Sequence, residues 1–350
     1  MSENPNENLG ISSAVGAASA KGVEDIYECI KACAIALNAT LQTDDTSYLA
    51  STNSSGDMQL GIDVAADALI GERLLALECV RGVCSEEKQG AVYKDLDSGD
   101  LGAGCGCGAE SKGAKNGTES KCKPAQSSAL TAPKGGLLVA YDPLDGSSLF
   151  DSDLSVGSIF GIYDGAFGAE HIVAAAYVVY GPRLEVVFAS AGAQGVKHSF
   201  YNGKEWVSKP NLALKTKGKL NAPGGTQKHW SAAHKALIDG FFAQGYRLRY
   251  SGGMVPDLHQ ILCKGGGIFS YPATTDAPNG KLRKLFEVFP FALIYEKAGG
   301  EAIAPESSGA CKRVLELKSA SLHESTPCFL GSSEEIAQVR AAYASASGAR

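Results

Sequence analysis

Apolar positions along the chain change period several times. Across residues 21–40, Val23, Ile26, Ile30, Cys33 and Leu37 recur every three or four positions, the spacing of one helix face. Leu60, Val64, Leu69, Leu74 and Leu77 repeat the pattern and predict a second helix over 58–80. Shorter apolar runs follow at 80–84, 137–141, 156–163, 172–180, 184–190 and 197–201, and these read as strands. Helical spacing returns at 231–244, 255–264, 285–298 and 332–344, the last capped by Ser332 or Ser333, with strands expected at 246–250, 267–271 and 329–331. Mixed strands and helices make an α/β chain, in an N-terminal half of residues 21–205 and a C-terminal half of residues 206–345.

Two stretches carry no such period. Residues 98–136 are mostly Gly, Ser, Ala, Lys and Thr and cannot bury enough apolar surface to offset ordering, so a flexible insertion is expected there. Residues 1–20 look similar and are expected to form a disordered tail. The remainder, with 44% hydrophobic and 20% charged residues in 350, suits a globular chain with a sizeable core. No apolar run approaches a membrane span. Net charge is 32 − 38 = −6, so no nucleic-acid partner is expected and acidic residues become candidates for holding cations. The first ten residues, MSENPNENLG, lack the apolar core of a signal peptide and the arginines of a transit peptide, and Gly348-Ala349-Arg350 is not the peroxisomal tripeptide. A cytoplasmic location is therefore expected. Seven of the ten cysteines lie outside the insertion, mostly in apolar segments, and read as buried thiols of a reducing compartment. Cys105, Cys107 and Cys122 inside it suit either a bland loop or a metal or disulfide site.

Chemistry concentrates at Asp142-Pro143-Leu144-Asp145-Gly146-Ser147-Ser148. An apolar strand delivers two carboxylates into a turn, Pro143 fixes a backbone angle that can aim the Leu144 carbonyl alongside them, and Gly146, Ser147 and Ser148 offer donors. Oxygens for a hard cation beside donors for a phosphate are one reading, and a plain Asp/Gly surface turn is the other. Glu86 and Glu87 adjoin at the end of an apolar run, Asp57 and Asp63 flank the start of the second helix, and Glu287 interrupts another apolar run. Each alone suits a solvated charge or an ion pair, but together they exceed what one structural ion pair needs.

In this order the motifs resemble the metal-dependent, lithium-sensitive sugar and inositol phosphatases, and specifically the fructose-1,6-bisphosphatase family (class 1). The resemblance extends through Gly157-Ser-Ile-Phe-Gly-Ile-Tyr163, Arg249-Tyr-Ser-Gly-Gly-Met254, Lys281-Leu-Arg283, Phe286-Glu287 and Glu296-Lys-Ala-Gly-Gly300, over roughly residues 22–344. It implies a layered α-β-α-β-α sugar-phosphatase fold with two mixed sheets, a homo-oligomer (dimer or tetramer) and two or three Mg2+ per site. Glu86, Asp142, Asp145 and Glu287, with the Leu144 carbonyl, are the implied metal ligands. Asp57 is implied to help with a further Mg2+ in a catalytic role, Asp63 and Glu87 to orient and deprotonate the attacking water, and Gly146, Ser147 and Ser148 to contact the departing phosphate. Arg249, Tyr250, Tyr271 and Lys281 are implied to hold the far phosphate, with Arg249 reaching from a neighbouring subunit, and Gly252 and Met254 to adjoin the sugar. Tyr250 and Tyr271 on their own would read as aromatic packing.

Gly252-Gly253-Met254 and Tyr180-Gly-Pro-Arg183 look more like the sedoheptulose-1,7-bisphosphatase branch, since the fructose enzymes typically carry a Ser where Gly253 stands. The expected reaction is hydrolysis of the 1-phosphate of sedoheptulose 1,7-bisphosphate, in a Calvin-cycle or pentose-phosphate context. The alternatives are a fructose-1,6-bisphosphatase, a dual enzyme, or a dead relative that senses sugar phosphates. Gly136-Leu137 and Asp164 replace the Lys-Tyr pair and the Arg that bind AMP in the animal enzymes, so no AMP inhibition is expected. Thr52-Asn-Ser-Ser55 replaces the cysteine pair of the plastid sedoheptulose enzyme, so that thioredoxin switch is absent.

Overall fold

The computed structural model describes residues 17–43, 48–52, 58–94, 127–132 and 136–347. Asp57, the tail up to residue 16, and Cys105, Cys107 and Cys122 with most of the 98–136 segment lie outside the described residues. Helix α1 (Ala17–Leu41) leads to a two-stranded antiparallel sheet of β1 (Tyr48–Thr52) and β2 (Met58–Leu60), then to α2 (Gly61–Ala76). The helix expected over 58–80 thus begins three residues late, because β2 takes up its first turn.

Eight strands form the first sheet. They are β3 (Val80–Ser85), β4 (Val92–Tyr93), β5 (Leu137–Asp145), β6 (Val156–Asp164), β7 (Ile172–Tyr180), β8 (Glu185–Ser190), β9 (Val196–Tyr201) and β10 (Trp206–Leu212). Their spatial order is β10-β9-β8-β7-β6-β5-β3-β4, antiparallel throughout except for the parallel pair β3 and β5. Because β10 is an edge strand of this sheet, the change of sheet falls after residue 212 rather than near 205. Within the 98–136 stretch, Ser127 bridges Ala91 and Thr131 bridges Ala166, so its last residues are held against the sheet, with Ala132 buried.

The second sheet has six strands, β11 (Leu220–Pro223), β12 (Arg247–Leu248), β13 (Gly267–Tyr271), β14 (Glu301–Pro305), β15 (Cys311–Arg313) and β16 (Cys328–Gly331). Its order is β12-β11-β13-β16-β14-β15, with β11 parallel to both neighbours and the other pairs antiparallel. Between these strands run α3 (Ala232–Ala243), α4 (Met254–Cys263) and α5 (Phe289–Lys297), and α6 (Ser333–Ser347) closes the chain.

Alternation along the strands builds the layers. On β5, Val139 and Tyr141 face α1 and α2 with Ile26, Ile30, Ile62 and Ile70, while Leu138 and Ala140 face the opposite core. That second core contains α4 and α5 (Val255, Leu258, Phe291) and one face of the six-stranded sheet (Phe269, Leu330). The other face of that sheet, with Ile268 and Phe329, packs on Ile238 and Phe241 of α3 and Ile336 and Val339 of α6. The result is an α-β-α-β-α stack of two mixed sheets. Strands buried on both faces read as continuous apolar runs, which is why β5 to β8 were visible in the sequence, whereas β11 and β14 carry no such run.

One core residue makes stability pH-dependent. His234 is fully buried on α3 between the rings of Trp230 and Phe329, with Nδ1 3.3 Å from the Tyr343 hydroxyl. Burial pushes its imidazole down to about 4. The unfolded chain, with a histidine near pKa ~6.5, binds this proton first, so the folded state loses stability as pH falls from about 6.5 towards 4 and loses no more below that. The difference amounts to roughly 3 kcal/mol. Chemical denaturation between pH 8 and 4 is expected to show a shallower fall for His234→Phe than for the wild type. Identical slopes would show that His234 is not the titrating group.

Candidate active site

The site forms at the carboxyl ends of the parallel pair β3 and β5. Ser85 on β3 lies opposite Tyr141 on β5, and the Glu86 N–H donates to the Tyr141 carbonyl at 3.0 Å. Glu86 therefore emerges beside Asp142. The two aspartates are still on the strand, not in a following turn as expected. Residues three apart on a regular strand face opposite sides. Here the register against β6 moves from Asp142↔Ile159 to Asp145↔Gly157, so three steps on β5 match two on β6. Pro143, which cannot donate to a ladder, occupies this bulge, and Ser158 Oγ donates to its carbonyl at 2.7 Å. The extra residue turns Asp142 and Asp145 into one cavity.

Glu287 reaches the same place from the opposite side. The expected helix at 285–298 begins as a π-helical turn, Lys284–Val288, before α5. Val288 N–H donates to the Arg283 carbonyl five residues back, Pro290 follows without an N–H, and Glu287 Oε2 accepts the Arg283 N–H at 2.6 Å. Asp142, Asp145 and Glu287 are all buried, with ligand oxygens within 4.8 Å of one another.

These carboxyls crowd. Burial, then the neighbouring Glu86, pushes both Asp142 and Glu287 well above the ordinary carboxylate range. Burial pushes Glu86 up to about 7 despite its ion pair with Arg283. Asp145 is pushed up by burial and brought partly back by the Met254 and Val255 N–H groups, at 3.1 and 2.6 Å, ending at about 6. A hard divalent cation fits this donor set, since it would supply the positive charge that one arginine does not.

Asp63, in the first turn of α2, and Glu87, next to Glu86, line the same cavity of about 310 Å³. Gly146, Ser147 and Ser148 form its floor, where the chain enters a short 3-10 helix, Ser147–Ser152. Tyr250, Gly252, Met254, Tyr271 and Lys281 line the far wall, together with Phe269 and Leu282, which sequence reasoning missed because nothing marks them as other than core. Leu144 also lines the cavity, its N–H held by Asp142 Oδ1 at 3.0 Å. Arg249 is the described site candidate not brought to the cavity; it is exposed, with Nη1 on the Leu248 carbonyl. The pairing of Arg283 with Glu86 was also not foreseen.

Gly253, where the fructose enzymes typically carry a Ser, also lines the cavity. A Cβ there would meet Leu149 Cδ1 and Pro256 Cδ and Cγ, each at 3.1 Å. Glycine at 253 relieves crowding against those side chains.

The cavity thus joins a strand-end aspartate pair brought together by a bulge, a glutamate from a π turn and a turn rich in hydrogen-bond donors, a set whose carboxylates could hold a divalent cation. The family model of the fructose-1-6-bisphosphatase C-terminal domain matches residues 214–344, and that of the N-terminal domain matches residues 127–207. The chain belongs to the fructose-1,6-bisphosphatase family. That places it among the phosphoric monoester hydrolases. The fructose-1,6-bisphosphatase class 1 of Helicobacter hepaticus is 52% identical over 318 residues, covering 91% of this chain and 98% of its own length. That of Campylobacter curvus is 43% identical over 324 residues, covering 92% and 94%. Among solved structures, Leishmania major fructose-1,6-bisphosphatase superposes with a TM-score of 0.74 at 26% identity, covering 91% of this chain and 93% of that one. A Toxoplasma gondii protein described as a sedoheptulose-1,7 bisphosphatase gives 0.70 at 28% identity, covering 90% and 91%.

Proposed function

We propose that the protein hydrolyses the 1-phosphate of fructose 1,6-bisphosphate in a Mg2+-dependent reaction. The observation that carries this reading is the charge of the cavity. Six carboxylates (Asp63, Glu86, Glu87, Asp142, Asp145 and Glu287) line it against one lysine, Lys281. A bisphosphate would be repelled unless cations sat between the carboxylates and the phosphoryl oxygens. Glu86, Asp142, Asp145, Glu287 and the Leu144 carbonyl are the groups to hold them. Bound there, Mg2+ supplies Lewis-acid polarisation of the phosphate and compensates the carboxylate charge.

The chain's own residues do the rest. Asp63 and Glu87 orient the attacking water and take its proton, and Asp57 helps with a further Mg2+. The backbone N–H groups and hydroxyls at Gly146, Ser147 and Ser148 hold the transferred phosphate. Tyr250, Tyr271 and Lys281 bind the second phosphate without reacting, and Gly252 and Met254 adjoin the sugar. Arg249 joins them from a neighbouring subunit, which makes the active unit an oligomer.

The six-carbon substrate replaces the seven-carbon one expected from the sequence. The relatives at 52% and 43% identity are fructose-1,6-bisphosphatases, which supports the six-carbon reading. Tyr180 and Arg183, a motif behind the seven-carbon expectation, do not line the cavity; Tyr180 bonds Ser158 and Arg183 pairs with Glu185. Initial rates of phosphate release from both bisphosphates decide the matter. kcat/KM is expected to be ~10-fold or more higher for the fructose compound. A preference for the sedoheptulose compound would restore the seven-carbon reading.

A further inference from the structure

A second group of metal-ligating side chains lies outside the carboxylate cavity, where the C-terminal half of α4 packs on the first sheet. His259 and Cys263 are one helical turn apart on α4, so they share a face, and His198 on β9 approaches them. The ligand atoms of all three lie within 4.8 Å of one another. His259 Nε2 is 3.4 Å from Cys263 Sγ and 3.4 Å from Glu185 Oε2 on β8. The same Glu185 oxygen is 2.5 Å from His198 Nε2. None of these four residues lines the carboxylate cavity.

We propose that His198, His259 and Cys263 form a site for a borderline-soft divalent transition cation, best matched by Zn2+, with the Glu185 carboxylate beside it. The donor set decides the chemistry. Two imidazoles and a thiol suit Zn2+ and are poor ligands for Mg2+, which takes oxygen. The geometry agrees. Bond lengths of about 2.0–2.3 Å in a tetrahedral shell place neighbouring ligand atoms about 3.3–3.8 Å apart. The 3.4 Å between His259 Nε2 and Cys263 Sγ falls in that range.

The surroundings hold the ligands in place. The Tyr177 hydroxyl is 2.9 Å from His259 Nδ1 and fixes the ring with Nε2 towards Cys263. Glu185 in turn is anchored through Oε1 by Arg183 at 2.8 Å and by Lys209, which lies 3.3 Å from Oε1 and 3.4 Å from Oε2, the oxygen that also faces the imidazoles. Carboxylate and hydroxyl partners of this kind orient metal-binding histidines. His198 and Glu185 are buried, while Cys263 is exposed and gives an entry path. The cation would also brace α4, whose first two residues, Met254 and Val255, hold Asp145 in the active site.

The test uses the full-length protein, stripped with a chelator and returned to excess Mg2+, with Co2+ as the probe. One Co2+ per chain is expected to give thiolate-to-metal charge-transfer absorption that survives Mg2+ and is displaced by Zn2+. Cys263→Ser, at an exposed position, is expected to abolish that band and weaken Zn2+ binding at least ~100-fold, with Mg2+-dependent turnover unchanged. His198→Gln is expected to weaken Zn2+ binding as well. No charge-transfer band in the wild type, or an equal band in Cys263→Ser, which would place the thiolate at another of the ten cysteines, would overturn the proposal.

Discussion

Asp142→Asn is expected to lower kcat ~10³-fold while raising the melting temperature of the metal-free protein by a few degrees. Both effects come from one charge. Asp142 is buried among Glu86, Asp145, Glu287 and Glu87, and all of them raise its pKa after burial does. Without a cation this carboxylate is held at a cost, and an amide of the same shape removes it. The Oδ1 acceptor for the Leu144 N–H is kept, so the bulge has no reason to unravel. Activity moves the other way because a ligand anion is lost. Lewis-acid stabilisation at a phosphoryl centre is worth several kcal/mol, and ~4 kcal/mol corresponds to ~10³ in rate. Thermal melts with and without Mg2+, beside phosphate-release rates, separate the two effects. The wild type should gain more stability from Mg2+ than the variant. A lower metal-free melting temperature in Asp142→Asn would mean that the carboxylate is structural, and retained turnover would remove it from the ligand set.

Much of this cavity was legible because part of its lining comes from a short stretch of chain. Asp142, Asp145, Gly146, Ser147 and Ser148 fall within seven residues, and the apolar run before them announces the strand. What pattern reasoning misplaced was the backbone that joins them. The two aspartates had seemed to sit in a turn, because strand periodicity forbids residues three apart from sharing a face. The bulge at Pro143 is what permits it, and a bulge is a pairing property that depends on β6. The same holds for Glu287. Apolar spacing predicted one helix from 285, but the π turn depends on Pro290 and on Glu287 itself closing on the Arg283 N–H.

Edge strands were the other loss. β4, β10 and β15 are short or half exposed, so their residues carry little apolar signal. Gly253 shows a related limit. Its effect depends on where a Cβ would point, and Leu149, one of the two side chains that Cβ would meet, lies in a distant stretch of the chain. The cluster around His259 shows the same limit from the other side. Tyr177, Glu185, His198 and Cys263 are spread over 87 positions (263 − 177 + 1), on three strands and a helix, and no spacing rule links them.

Gly146→Ala is expected to cut turnover ~100-fold or more and to destabilise the fold by about 1–2 kcal/mol, although it adds a single methyl group. Gly146 has φ 77° and ψ 29°, in the left-handed region that alanine enters at a cost of roughly 1 kcal/mol. The added Cβ would also press on the Gly253 Cα at 3.2 Å and Leu149 Cδ1 at 3.3 Å. Gly253 leads directly into α4, whose Met254 and Val255 N–H groups hold both oxygens of Asp145. Any outward shift therefore separates the phosphate turn from the helix that fixes a metal-site carboxylate. A displacement of about 1 Å at such a junction is enough for a ~100-fold loss in rate. The expected signature is a fall in kcat larger than the loss of stability would produce, with the variant still fully folded at 25 °C by circular dichroism. If Gly146→Ala kept wild-type kcat while losing the 1–2 kcal/mol, the turn would be only a structural bend and the phosphate would have to be held elsewhere.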